Sequence, residues 1–165
     1  MRKNLVSLGL VCIMSMTYIF PSFANMINSN PVRVQDVNEN YTVVQYPRGS
    51  YISTASLRIS NPENGEIGVF AMNLAHQDVD ETSFHIYLDR WIESEKRWAN
   101  IAGYDFVYNK DNCPGEDLSE KSISFNIVGQ PADCYYRLRG KHIVVVGDKQ
   151  EMLSTETDGI LITKK

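Results

Sequence analysis

Histidine, cysteine and tryptophan are scarce in this chain of 165 residues, which has three, three and two of them. His76, His85 and His142 form no His-x-His or His-Glu-x-x-His pair and no cluster with cysteine, so a zinc site has no ligand set. There is no Gly-x-Ser-x-Gly, and no Ser-x-x-Lys with its supporting elements, so the common serine-nucleophile signatures are missing. No catalytic residue, metal or cofactor is assigned from the sequence. Sixteen basic residues face twenty acidic ones, a net charge of −4, with no basic stripe. Such a balance makes nucleic acid and anionic membranes poor partners. Beyond the N-terminus no stretch is long and apolar enough to span a bilayer.

What the N-terminus does carry is a leader. Arg2 and Lys3 precede a largely apolar run from Leu5 to Phe20, and Pro21-Ser-Phe-Ala24 places small residues where a signal peptidase reads them. The expectation is a signal peptide over residues 1–24, cleaved after Ala24, and a soluble, secreted product. Cys12 sits in the middle of the apolar run and is lost with it. Two cysteines then remain, Cys113 and Cys134, 21 positions apart. A lone pair in an exported protein reads as a disulfide.

The rest of the chain is patterned as short strands. Residues 25–40, rich in Asn, read as a flexible lead-in with a strand-like piece at Val32-Arg-Val34, and residues 41–165 as a single domain. Strand-like runs occupy Tyr41–Tyr46, Tyr51–Ser60 (Tyr51, Ala55, Leu57 and Ile59 on one parity) and Ile67–Ala75. Thr82–Ile92 alternates, with Phe84, Ile86 and Leu88 on one side and His85, Tyr87 and Asp89 on the other. It returns through the charged tip Glu93–Lys96 to Arg97–Tyr108 as a hairpin with Trp91 and Trp98 near its end; a helix through Trp91–Asn100 is the competing reading. Ser122–Val128 alternates again. The densest run of aromatic and β-branched residues, Cys134–Val146, reads as a central strand with a bend at Gly140. A polar Ser/Thr/Glu connection then leads to a last strand, Asp158–Thr163. Seven to eight short strands without a convincing helix predict an all-β antiparallel sandwich of immunoglobulin or fibronectin type.

The run Cys134-Tyr-Tyr-Arg-Leu-Arg-Gly-Lys-His142, followed by Thr155-Glu-Thr-Asp-Gly159-Ile160-Leu-Ile162 and preceded by the Tyr87-Leu-Asp-Arg-Trp91 hairpin with Trp98, resembles small secreted β-sandwich proteins of Gram-positive bacteria. The likeness spans roughly Gly49 to Ile162. It implies the fold and the export, and transfers no catalytic residue. The Tyr-Tyr-Arg strand is also similar to strand F of immunoglobulin-like sandwiches, where a tyrosine hydroxyl braces a neighbouring loop. The cysteine spacing departs from that pattern, being short for an inter-sheet bridge.

Three functional readings follow. In the first, the protein is non-enzymatic and acts by surface recognition of a protein or glycan of the envelope, through a platform of Tyr87, Trp91 and Trp98. In the second it is an inhibitor or immunity-type protein, presenting the acidic loop 109–121 as a ligand tethered by the disulfide. In the third it is a small hydrolase built on His85 or His142 with a loop carboxylate. The acidic pairs Asp78/Asp80 and Glu93/Glu95 and the group Asp111/Glu116/Asp117 read as solvated loop residues, and none has calcium-binding register.

Overall fold

The computed structural model describes residues 38–46 and 48–165. The leader, its cleavage site, Cys12 and the piece at Val32–Val34 lie outside the described residues. Among the described residues nine strands run in chain order: β1 (Glu39–Gln45), β2 (Ile52–Ser60), β3 (Ile67–Ala75), β4 (Glu81–Ile92), β5 (Arg97–Asn109), β6 (Glu120–Ile127), β7 (Cys134–Val146), β8 (Lys149–Glu156) and β9 (Ile160–Ile162). They form two antiparallel sheets, ordered β1-β2-β3-β6 and β5-β4-β7-β8, with β9 also on β7. The molecule is an all-β sandwich, as the alternation predicts. Strands β1 to β3 form a meander in one sheet, the β4–β5 hairpin lies in the other, and the chain then crosses twice. β6 joins β3 and β7 joins β4, a strand order different from the ABED and CFG sheets of an immunoglobulin constant domain. Among the described residues no helix is long and apolar enough to cross a membrane.

Period-two alternation decides which side chains meet between the sheets. Leu57 and Ile59 of β2, Val69 and Ala71 of β3, Phe84, Ile86 and Leu88 of β4, and Tyr136 and Leu138 of β7 are all 3% exposed or less and form the main core. A second cluster at one end joins Ile52, Val79, Leu118 and Val144. In β2 the inward residue at the start is Ile52, whereas the alternation predicts Tyr51. A register irregularity between Ile52 and Thr54 shifts the parity there. The Glu151 carboxylate accepts the amides of Ser50, Tyr51 and Ile52 at 3.0, 2.6 and 2.6 Å, satisfying the backbone at this irregular entry.

Three further expectations are corrected. The polar connection after β7 is a strand, β8. Its inward-facing polar groups find hydrogen bonds instead of apolar neighbours, so it carries no hydrophobic period. The bend at Gly140 is absent: β7 runs through it without interruption. Glycine is required there because a Cβ would lie 2.7 Å from Thr155 Oγ1 and 2.9 Å from His142 Nε2.

The third correction is the disulfide. Among the described residues Cys113 and Cys134 are both free. The amide of Cys113 bonds the carbonyl of Asn109, the last residue of β5. Asn109 is in register with Glu81, and Glu81 with Val145 near the end of β7. Cys134 begins β7, opposite Ile162. Eleven strand residues separate the two levels, about 36 Å at the rise of an extended chain. A disulfide needs Cα atoms within about 7 Å.

Candidate functional site

Alternation sends one parity of the second sheet into the core and the other to its outer face. On that outer face the pairing of β5, β4, β7 and β8 lines residues up in rows. Trp98 lies opposite Trp91, Asn100 opposite Asp89 and Asp89 opposite Arg137. The next row is Gly103, Tyr87, Arg139 and Glu156, and the one after it Asp105, His85, Lys141 and Ser154. An extra residue in β5, between the partners of Leu88 and Asp89, keeps the tryptophans and Asn100 on this face.

The three aromatics expected as a platform are here, half-buried on the outer face and not in the core. Trp91 and Trp98 meet edge to face at 5.5 Å between centroids. The guanidinium of Arg137 lies 4.8 Å over the Trp98 ring, and that of Arg139 lies 5.4 Å over Tyr87. Between the two arginines stands Asp89, only 2% exposed although it points away from the core. Its partners bury it. Arg137 donates Nε–H to Oδ2 at 3.1 Å. Arg139 donates from Nε at 2.7 Å and from Nη2 at 2.9 Å, and the Asn100 amide donates at 3.2 Å. Arg137 also donates to Glu156 at 2.5 Å. Burial alone would raise the Asp89 carboxyl. The Arg139 and Asn100 hydrogen bonds and the two guanidinium charges outweigh it and hold the group below the usual carboxylate range. Trp91, Trp98, Arg137, Asp89, Arg139 and Tyr87 thus form one continuous ladder.

Stability does not account for this ladder. Two cation–π contacts at a partly exposed site contribute about 0.5–1 kcal/mol each. Taking ions from water costs several kcal/mol apiece, and a buried ion cluster is often no more stable than apolar residues of the same volume. What the ladder does provide is orientation: two guanidinium planes are each fixed by a carboxylate on one edge and an aromatic ring beneath.

The histidines divide into two kinds. His142 is fully buried beside Phe84, ring centroids 5.7 Å apart. The Asn73 amide nitrogen donates to Thr82 Oγ1 and to the Ser83 carbonyl, so its oxygen faces His142 Nδ1, 2.6 Å away. Nδ1 therefore carries the proton, and Nε2 accepts from the Thr155 hydroxyl at 2.8 Å. Burial pushes the His142 pKa down to about 4. This is a closed structural network joining the two sheets, with no carboxylate in it. His85, on the outer face, meets Asp105 Oδ1 at 2.6 Å, the contact a hydrolase reading asks for. The pair lies on open sheet surface, and among the described residues His85 has no other side-chain hydrogen bond. Among the described residues no group of three metal-ligating side chains comes together.

Loop 109–121 is held by other means than the expected tether. Asn112 donates to the Val107 carbonyl at 2.9 Å and accepts the Asn109 amide at 2.8 Å, and Leu118 is buried in the second cluster. The expected brace is present: the buried Tyr136 donates its hydroxyl to the Pro131 carbonyl at 2.7 Å, five residues upstream. The sequence reading missed Asp89, Arg137 and Arg139 as site residues. The signal for the arginines was the period-two run Arg137-x-Arg139-x-Lys141, a cationic row on the face opposite Tyr136 and Leu138; Asp89 was marked only by its parity with His85 and Tyr87. No protein-family model matches the chain, and a search of curated proteins finds no match to it.

Proposed function

We propose that this protein is exported and acts by recognition, using the outer face of its second sheet to bind a protein or glycan partner of the cell envelope or surrounding medium. The observation that carries the reading is the ladder itself. Five side chains, Tyr87, Trp91, Trp98, Arg137 and Arg139, of the types that favour binding interfaces converge on solvent-facing sheet, around an acid, Asp89, that its partners bury. Tyrosine, tryptophan and arginine supply most of the energy in protein recognition surfaces, and aromatic rings exposed at one edge stack well on sugars and on apolar side chains. The N-terminal leader supports export. The small, secreted β-sandwich proteins of Gram-positive bacteria that the chain resembles are consistent with the same reading.

Retention of the purified protein on envelope material tests this. Wild type is incubated with washed wall and membrane fractions and with culture supernatant, alongside Trp91→Ala and Trp98→Ala. The expected result is saturable retention that falls at least tenfold in the variants while their circular dichroism stays that of the wild type. Equal retention of folded wild type and variants would remove the ladder from any role in binding.

A further inference from the structure

A depression opens beside the ladder, about 200 Å³ in volume, walled by Tyr87, Arg139, Lys141, Ser154 and Glu156 and floored by the paired strands at Gly140 and Thr155. It is smaller than the roughly 300–1,000 Å³ of pockets for drug-sized ligands, so it suits one small group. Its chemistry is uneven. Arg139 spends Nε and Nη2 on Asp89, and among the described residues nothing bonds the Nη1 edge of its guanidinium. That side chain is 40% exposed, and its plane is set by Asp89 behind and Tyr87 beneath. Two positions along β7, Lys141 is exposed and has no ion pair among the described residues. Ser154 lies directly across from Lys141 on β8 and adds a hydroxyl. The Glu156 carboxylate is turned to Arg137 and the Asp105 carboxylate to His85. The residues that wall the depression carry two cations and one carboxylate (Arg139 and Lys141; Glu156), one charge positive on a chain of net charge −4.

We propose that the depression binds the anionic group of an acidic sugar. Carboxylate, phosphate or sulfate oxygens sit between the Arg139 Nη1 edge and the Lys141 ammonium, with the Ser154 hydroxyl as third donor, and the sugar ring lies toward Tyr87. A guanidinium held in place before the ligand arrives loses little side-chain entropy on binding and offers the paired N–H geometry that oxyanions accept. A neutral sugar would gain neither the charge-assisted bonds nor the attraction of Lys141. The inference rests on the reading that this face is a recognition surface, and narrows it to a ligand class.

The experiment is an NMR titration of amide shifts in the full purified protein. Probes are glucuronic acid, glucose 6-phosphate, glucose and inorganic phosphate, each at 50 and 200 mM sodium chloride. The proteins are wild type, Lys141→Gln and, as a control on the other sheet, Tyr41→Ser, whose side chain is exposed. Expected are saturable shifts centred on Arg139–Lys141 and Ser154–Glu156 with an acidic sugar, at least fivefold weaker at the higher salt and at least tenfold weaker in Lys141→Gln, with Tyr41→Ser like wild type. The arm that binds best, carboxylate or phosphate, names the anion. Glucose binding as well as the acids overturns the anionic requirement. Inorganic phosphate binding as tightly as the sugars overturns the sugar. No saturable shift with any probe, or none at these residues, overturns the site. Lys141→Gln is an exposed change, and its own spectrum reports that it folds. Loss of acidic-sugar shifts in a protein whose ladder variants still govern envelope retention would defeat this proposal alone. Retention indifferent to Trp91 and Trp98 would defeat the broader reading instead.

Discussion

Acidification tests the buried network on His142. The side chain is fully buried, and its pKa is about 4 in the folded protein against an ordinary 6.5. Because the folded value is the lower one, the unfolded chain takes up this proton first, near pH 6.5, and the folded protein resists it until about pH 4. Stability from this group is therefore fully present above about pH 6.5 and is lost as pH falls towards 4. A gap of roughly 2.5 units at 1.36 kcal/mol each gives a loss of about 3 kcal/mol. That is a large part of the 5–15 kcal/mol typical of a domain. The cost is desolvation, because Thr155 can turn its hydroxyl to accept from a protonated Nε2 while Asn73 keeps accepting from Nδ1. The depressed carboxylates Asp89 and Glu151 act in the other window: their contribution holds above the ordinary carboxylate value and disappears only below it. The assay is urea unfolding of wild type and His142→Gln at pH 7, 6, 5 and 4. Glutamine keeps polar contacts at the site but does not titrate, and contributions common to both proteins cancel. Between pH 7 and 4 wild type should lose about 3 kcal/mol more than the variant, with most of the divergence above pH 4.5. Parallel curves would refute the argument that a neutral histidine is trapped in this core.

Three other outcomes are expected. Gly140→Ala, which drives a methyl group into Thr155 Oγ1 and His142 Nε2, should destabilise the protein by about 1–3 kcal/mol in denaturant unfolding. The same exchange at the open, positive-φ Gly115 perturbs only its own loop. Asp89→Ala should cost about 2–3 kcal/mol, less than for a fully enclosed ion cluster, since Arg137 and Arg139 can swing into water; near-ultraviolet circular dichroism should report Trp98 losing its stacked arginine. Under non-reducing conditions Cys113 and Cys134 should both react with a thiol reagent once the protein is unfolded, and reductant should leave the melting temperature unchanged. A drop of many degrees on reduction would restore the disulfide.

Wherever apolar alternation and turn residues agree, the sequence reveals the fold. Phe84, Ile86 and Leu88 mark the inner face of β4, and the charged Glu93–Lys96 tip closes the hairpin to β5. β8 is hidden because two of its inward positions, Glu151 and Thr155, are polar. They are matched by the amides of Ser50, Tyr51 and Ile52 and by His142, partners 100 and 13 positions away that no local window contains. Asn73 is visible as one polar residue inside the apolar run Ile67–Ala75, but its partner His142 is 69 positions on. The same limit applies to the cysteines: a shared compartment suggests a pair, and only the register of β5, β4 and β7 shows that they lie at opposite ends. At the candidate site, parity alone places Tyr87, Trp91 and Trp98 on one face. The ladder needs the β4–β7 pairing, which brings Asp89 against arginines 48 and 50 positions away.

Both tryptophans of the chain lie on the proposed recognition face, so their fluorescence reports on it directly. Titrating the intact protein with the envelope fraction that retains it should give a saturable change in tryptophan emission, with the same midpoint as retention measured by sedimentation. Retention that saturates while the emission of Trp91 and Trp98 stays constant would place the binding surface elsewhere on the molecule and contradict the assignment.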